Sequence, residues 1–384
     1  MRTNKPRVLI VFNAGAKAYG MERAVIETFD LLKPEVDPHF LMSYTTKRLD
    51  LPILREIKER DLSHSFLSDW ADWPRIGKPK SLREAWTMSI AMVRGNFDVL
   101  KAARGKDYIY IPGINYFYFT LLAAIFHRLR GKGIIFHFHD LVSTPSVRLR
   151  FTSWFVTDFI HNTSYGREAV TKSNPFVDRA KNWIIPSPVL RAERSELSDN
   201  ASDFERTGQH ILFVGQVAGH KGIDMLLNAF SLLRRSHKDI KLHIVGGCDN
   251  ADLKTRINGG SSGNSGIRYW GYRDDVLRIM KLADILVPPS PSATNESFGR
   301  VVTEAMSVGT PTVCFRSGAL PEIVAHEETG LICEAETAES LACNIERMLT
   351  DDQLRERCGL LALSRFEEFY SPARVKIRWL QVVA

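Results

Sequence analysis

At 384 residues the chain is too long for one ordinary hydrophobic core, so two domains of roughly 150 to 200 residues are expected. A composition of 44% apolar, 10% aromatic and 25% charged residues excludes a disordered or fibrous protein. The formal charge of +7 sits beside apolar and aromatic stretches, which favours an anionic ligand or an anionic membrane surface over nucleic acid as the partner.

In chain order, the amino terminus has a basic start but only about five consecutive apolar residues before Asn13, short of a signal-peptide core, so a cytoplasmic protein is expected. Short unbroken apolar runs separated by helical patterns predict strands buried on both faces. In the first half these are Arg7–Phe12, Phe40–Ser43, Tyr108–Ile111, Gly133–His137 and Trp183–Ile185. Basic residues cluster at Lys101, Arg104 and Lys106 and again at Arg128, Arg130 and Lys132, on either side of the apolar run Ile114–Leu122. That run is too short to span a bilayer, which needs about 20 apolar residues. It reads either as a packed helix of the first domain or as a surface that rests on an anionic membrane or holds a lipid-linked acceptor.

The linker Ile185-Pro186-Ser187-Pro188-Val189 and a polar stretch over 191–208 separate this series from a second. The second consists of Ile211–Val214, Lys241–Val245, Ile267–Trp270, Ile285–Val287, Thr312–Cys314 and Leu331–Cys333, each followed by a plausible helix. Repeated strand–helix–strand units predict an α/β protein with two Rossmann-like, doubly wound domains. The expected boundaries are 1–187, 188–365 and a final helical segment, 366–384, packing back toward the amino-terminal domain. The patch Gly259 to Gly263 reads as a surface loop. The five cysteines show no C-x-x-C spacing and read as small buried hydrophobes, not as a disulfide set or zinc site.

Ligands of open α/β sheets bind beyond the carboxyl ends of the strands, so chemistry is sought in the loops there. After Ile285–Val287 comes Asn295-Glu296-Ser297-Phe298-Gly299-Arg300-Val301-Val302-Thr303-Glu304, in which helical spacing begins near Gly299, with Ser297 a candidate cap. An open helix start at Gly299 and Arg300 suits a diphosphate. Glu304 follows at about 7.5 Å of helical rise, a fitting distance for the ribose hydroxyls. Glu296 precedes the helix, on the other side of the diphosphate. Taken alone, the two glutamates are equally well read as solvated surface charges. The loop after Ile211–Val214 carries Gln216 and Lys221 between glycines, where Lys221 is either a phosphate ligand or one more exposed lysine. Gly20 opens a helix after the first strand, as a phosphate contact or as a plain strand-to-helix turn. In Phe136-His137-Phe138-His139-Asp140 strand alternation turns both histidines to one side, with His139 the candidate site residue and His137 the structural one.

The glutamate pair separated by seven residues, embedded in the run from Glu296 to Val313, resembles the signature of the family 4 retaining glycosyltransferases, of the bacterial polysaccharide-biosynthesis type. The resemblance is dense from Gly208 to Ile332 and thin between Lys33 and Lys106. It implies the GT-B fold: two Rossmann-like domains facing a cleft, the first shaping the acceptor pocket and the second binding a nucleotide sugar. It implies His139, Glu296 and Lys221 as catalytic residues, and Gly20, Gln216, Lys221, Gly299 and Arg300 around the donor diphosphate. It further implies His139, Glu296, Ser297 and Phe298 around the transferred sugar, Glu304 on the ribose, and backbone groups of Tyr272 and Arg273 on the base, with the Arg273 side chain left in solvent. Two departures stand out: Gln216 where the family usually has arginine, and Tyr19 in place of the first of two glycines.

No cofactor and no metal are expected, since the family is metal-free and no Asp-x-Asp pair follows a strand. The expected donor is a UDP-hexose, UDP-glucose first, and the acceptor a saccharide or lipid-linked molecule made at the inner face of a membrane. The alternatives are an epimerase or phosphorylase on the same scaffold, or a nucleotide-sugar-binding protein without transfer activity.

Overall fold

The computed structural model describes residues 5–12, 20–68, 81–189, 207–260 and 266–384, with the backbone alone at 258–260. Ala18 and Tyr19, the stretch 190–206 and residues 261–263 of the predicted loop lie outside the described residues. The chain divides into two compact units: Met1–Pro188 with Val375–Ala384, and Val189–Arg374.

The first unit holds a seven-stranded parallel sheet: β1 (Arg7–Phe12), β2 (Asp37–Met42), β3 (Ser63–Phe66), β4 (Tyr108–Ile111), β5 (Gly133–Phe138), β6 (Asp158–His161) and β7 (Lys181–Ile184). Its strand order is β3-β2-β1-β4-β5-β6-β7. The unbroken apolar runs are explained by burial on both faces. From β1, Val8, Ile10 and Phe12 join one core with Val25, Phe29 and Ile57, while Leu9 and Val11 join another with Val99, Phe117 and Leu149. Strands β3 and β6 escaped the sequence reading because they are not apolar runs. The polar positions of β6 are buried with partners: Asp158 accepts from Trp183 Nε1 at 2.9 Å, and His161 Nε2 meets Asn182 Oδ1 at 2.9 Å, while His161 Nδ1 has no partner among the described residues.

The second unit holds six parallel strands: β8 (Gln209–Val214), β9 (Ile240–Val245), β10 (Ile267–Gly271), β11 (Ile285–Leu286), β12 (Thr312–Phe315) and β13 (Gly330–Cys333). They are ordered β10-β9-β8-β11-β12-β13. All six lie where apolar runs placed them. All five cysteines are free, with Cys314, Cys333 and Cys358 buried, Cys248 half-buried and Cys343 exposed.

The carboxy-terminal helix Pro372–Val382 belongs to the first unit from Val375 onward, where Val375, Trp379 and Val382 complete its core. The expected boundary at residue 365 is corrected to Arg374, because Phe366 and Tyr370 pack into the core of the second unit. The run Ile114–Leu122 forms the first part of a helix, Ile114–Leu129, whose Phe117, Phe119 and Thr120 are buried. Those three are packing residues, not a membrane face.

Candidate functional site

In the second unit the strand order reverses between β8 and β11, and that switch point is where a doubly wound sheet opens to a ligand. The loops after these two strands, 215–222 and 287–299, are locked together at Gly222, and Gly246, just after β9, packs against the first of them. Gly222 has φ +74°, and a Cβ there would lie 1.8 Å from the Pro289 carbonyl oxygen. Gly246 has φ +137°, and a Cβ there would lie 1.8 Å from the Gly215 carbonyl oxygen. Both positions therefore need glycine for space as well as for backbone conformation. Thr294 Oγ1 donates to the His220 carbonyl at 2.5 Å, tying the two loops a second time.

These ties bring Lys221 and Glu296 together. Lys221 Nζ lies 2.8 Å from Glu296 Oε2, and the buried hydroxyl of Ser290 donates to the same oxygen at 3.3 Å. The Glu296 backbone is clamped from β12's side: Ala319 N–H donates to its carbonyl at 2.8 Å, and Gly318 leaves no room there for a Cβ. Three residues later the helix Arg300–Ser307 starts from Gly299 (φ +77°) without a side-chain cap. Ser297 is thus corrected as the cap. The left-handed turn at Gly299 begins the helix, and glycine, lacking a side chain, supplies no acceptor to the first-turn N–H groups. Arg300 Nε holds Glu304 Oε1 at 2.8 Å along that helix.

Other expected positions fare differently. Gln216 is exposed in the first loop. Phe298, expected beside the sugar, is only 4% exposed and packs in the core near Tyr370, which leaves only its backbone to the loop. Ser297 is half-buried in the loop. Tyr272 is exposed after β10, but Arg273 is not a solvated charge: it grips Asp275 with two hydrogen bonds of 2.8 Å. Arg273, with Arg278 behind it, holds the Asp275 carboxyl down at about 2. The glycine geometry, Ser290 and Thr294 went unread in the sequence, where small and hydroxylic residues in a loop carry no distinctive signal.

In the first unit, Gly20 is exposed at the start of the helix Gly20–Leu32. His139 is half-buried just beyond β5 and stands in a chain of polar groups. Its Nε2 lies 3.2 Å from Tyr110 Oη, which lies 2.7 Å from His137 Nδ1, whose Nε2 lies 3.0 Å from Asn162 Oδ1. Burial raises the Tyr110 hydroxyl well above its usual range and lowers His137 well below its own, so Tyr110 stays protonated and His137 neutral. One assignment satisfies the chain: His137 Nε2–H donates to Asn162, Tyr110 O–H donates to His137 Nδ1, and His139 Nε2–H donates to Tyr110. His137 is buried within this chain of bonds; Tyr110 and Asn162 were not singled out in the sequence. Among the described residues, no group of three or more His, Cys, Asp or Glu side chains is placed to hold a metal.

Residues 195–362 match the profile of the family described as "Glycosyl transferases group 1". The matched segment lies within the carboxy-terminal unit. The matched segment contains Lys221, Arg273 and both glutamates of the family 4 signature. Among curated relatives, the D-inositol 3-phosphate glycosyltransferase of Corynebacterium aurimucosum is 32% identical over 167 residues, 41% of this chain and 39% of that protein. The phosphatidyl-myo-inositol mannosyltransferase of Mycobacterium leprae is 31% identical over 220 residues, 54% of this chain and 56% of that one. The chain thus spans roughly two-fifths to just over half of these relatives' length. Among solved structures, Anabaena HepE in complex with UDP and glucose aligns with a TM-score of 0.76 at 17% identity, covering 98% of each chain. A glycosyltransferase from Rickettsia africae aligns with a TM-score of 0.77 at 16% identity, covering 99% of this chain and 98% of that one. The fold is GT-B.

Proposed function

We propose that the chain is a glycosyltransferase that moves a hexosyl group from a UDP-sugar, UDP-glucose first, to a saccharide or lipid-linked acceptor in polysaccharide synthesis, with retention of configuration and without a metal ion. The observation that carries the reading is the junction of Lys221 and Glu296, 2.8 Å apart, beside the open helix start at Gly299. A pyrophosphate placed there meets one ammonium group and a set of backbone N–H donors, fixed charges of the kind that stabilise a departing phosphate. Glu304 lies one turn along the same helix, within reach of a ribose, and Glu296 faces the sugar end. Arg300 and the loop around Gln216 supply further donors to the diphosphate, and backbone groups of Tyr272 and Arg273 take the base. The amino-terminal unit binds the acceptor. The bond from the sugar's anomeric carbon to the diphosphate oxygen breaks, and a bond to the acceptor oxygen forms on the same face. The acceptor's hydroxyl proton passes to the leaving diphosphate. The catalytic site acts at the cytoplasmic face of the membrane.

The reading is supported by the group 1 match and by the likeness to HepE, whose solved structure is a complex with UDP and glucose. It is tested by incubating the protein with UDP-, GDP- and ADP-hexoses and a panel of acceptors. The expected outcome is UDP released only when an acceptor is added, unaffected by EDTA, with an α-linked product from an α-linked donor by NMR. Stabilisation by GDP and not UDP would overturn the donor assignment, loss of turnover in EDTA the metal-free one, and an inverted product the retaining one.

A further inference from the structure

One face of the first sheet is covered by three helical segments, Leu82–Ala103, Ile114–Leu129 and Val147–Thr152, all sharing one core with β1, β4 and β5. The inner side of Leu82–Ala103 is fully used. Gly95 lets the Phe119 ring come close, and Asn96 bonds the Tyr118 carbonyl and the Leu122 N–H. Its outer side should then be polar. It is not: Leu82 (92% exposed), Trp86 (71%), Val93 and Phe97 all face out. At about 100° per residue these four fall within about 60° of one another, a continuous apolar stripe opposite the packed side. Arg83, Arg94 and Lys101 run alongside, about 40 to 120° from the stripe.

The neighbouring segments repeat the pattern. Leu122, Ile125 and Leu129 (83% exposed) point outward from the second helix, and Val147 (84%), Phe151 and Trp154 from the third. Guanidinium groups lie on aromatic rings of this layer, Arg130 over Phe126 at 4.0 Å and Arg148 over Tyr118 at 5.7 Å. Across residues 81–104, 114–132 and 146–156 there are nine basic residues against two acids, Glu84 and Asp98, and Asp98 is taken up by Ser68. An apolar surface of this extent marks an interaction site.

We infer that this helical layer lies on a membrane rich in anionic lipid, its apolar stripes sunk among the acyl chains and its arginines and lysines at the level of the phosphates. Charge decides the occupant. A second copy of the chain would bring the same cationic surface against itself in a two-fold pairing. A bilayer of anionic lipid supplies both the apolar depth and the opposite charge. No helix among the described residues is long and apolar enough to cross a membrane, so the layer rests on the surface.

The test is flotation of the purified protein with vesicles of phosphatidylcholine, and of phosphatidylcholine mixed with phosphatidylglycerol. The expected result is recovery with the anionic vesicles, falling as salt is raised. The pair Trp86→Glu/Phe97→Glu and, separately, Arg83→Glu/Lys101→Glu should each lower that partitioning by more than about tenfold. All four side chains are exposed, so both variants should unfold at the parent temperature, and a normal melting curve separates lost docking from lost folding. Absence of flotation with both vesicle types, parental flotation by both variants, or a dimer in sedimentation equilibrium that Trp86→Glu/Phe97→Glu dissolves would each overturn the proposal; the last would identify a second copy as the occupant.

Discussion

Glu296 and Glu304 are both glutamates of one signature, yet the structure gives them different surroundings, and different losses follow. Glu296 is held by Lys221 and Ser290 in a loop whose backbone is clamped by Gly318 and Ala319, so Glu296→Gln leaves the loop in place and removes the charge. With UDP-glucose as donor, turnover should fall by about 10² while UDP binding stays within about threefold, as for loss of a transition-state contact. Among the described residues the Glu304 side chain is bonded along its own helix, to Arg300. Glu304→Ala should weaken UDP binding by about tenfold, the worth of a charge-assisted hydrogen bond to ribose. Calorimetric titration with UDP and initial rates distinguish the two, and equal binding losses would contradict the separate roles. The identity of these residues was legible because chemistry was written in their type and spacing. Ser290, Thr294 and Asn162 were not, since they act through position in a folded loop or strand, and the burial of the Phe298 side chain is equally invisible in a run of signature residues.

At the scale of elements, apolar runs located all six strands of the second sheet, five of them largely buried and β10 a half-buried edge. They failed at β3, where His39 of the neighbouring strand satisfies Ser63 and Ser65, and at β6, whose polar ends find partners only after folding. Exposure on the outer helical layer was equally hidden, since a helix with two apolar sides reads in sequence as one that is simply buried. The terminal helix Pro372–Val382 offers a test of packing. Trp379 is fully buried against Phe29, Tyr110 and His137, but its Nε1 has no hydrogen-bond partner among the described residues. Trp379→Ala should destabilise the first unit by about 3–5 kcal/mol, the usual loss for a large aromatic in a core. Trp379→Phe keeps ring contacts and removes a buried unpaired donor, whose desolvation costs about 1–3 kcal/mol, so it should lose less than half as much. Urea unfolding of the three proteins measures the difference, and equal losses would show that Nε1 is satisfied in solution.

At the scale of the whole molecule, the two units should respond unequally to acid, because buried neutral histidines are concentrated in one of them. In the first unit burial lowers His39, His127, His137 and His161, the last to about 4; in the second it lowers His243, to about 3. A histidine whose folded pKa lies below its unfolded value of 6.5 binds fewer protons when folded. Its stabilising contribution is complete above pH 6.5 and is lost as pH falls toward the folded value. For His161 alone the loss between pH 6.5 and about 4 amounts to roughly 3 kcal/mol. Asp275, held at about 2, has the sign of a stabilised carboxylate, and its contribution fades only below about pH 4, outside this window. Hydrogen exchange at pH 7.5 and pH 5, corrected for the intrinsic rate, should therefore show protection falling first in strands β1 to β7 and later in β8 to β13. His161→Gln, which keeps an amide able to bond Asn182 but cannot titrate, should narrow the gap. Equal loss in both sheets, or earlier loss in the second, would mean that burial of these rings does not govern the acid limit of the fold.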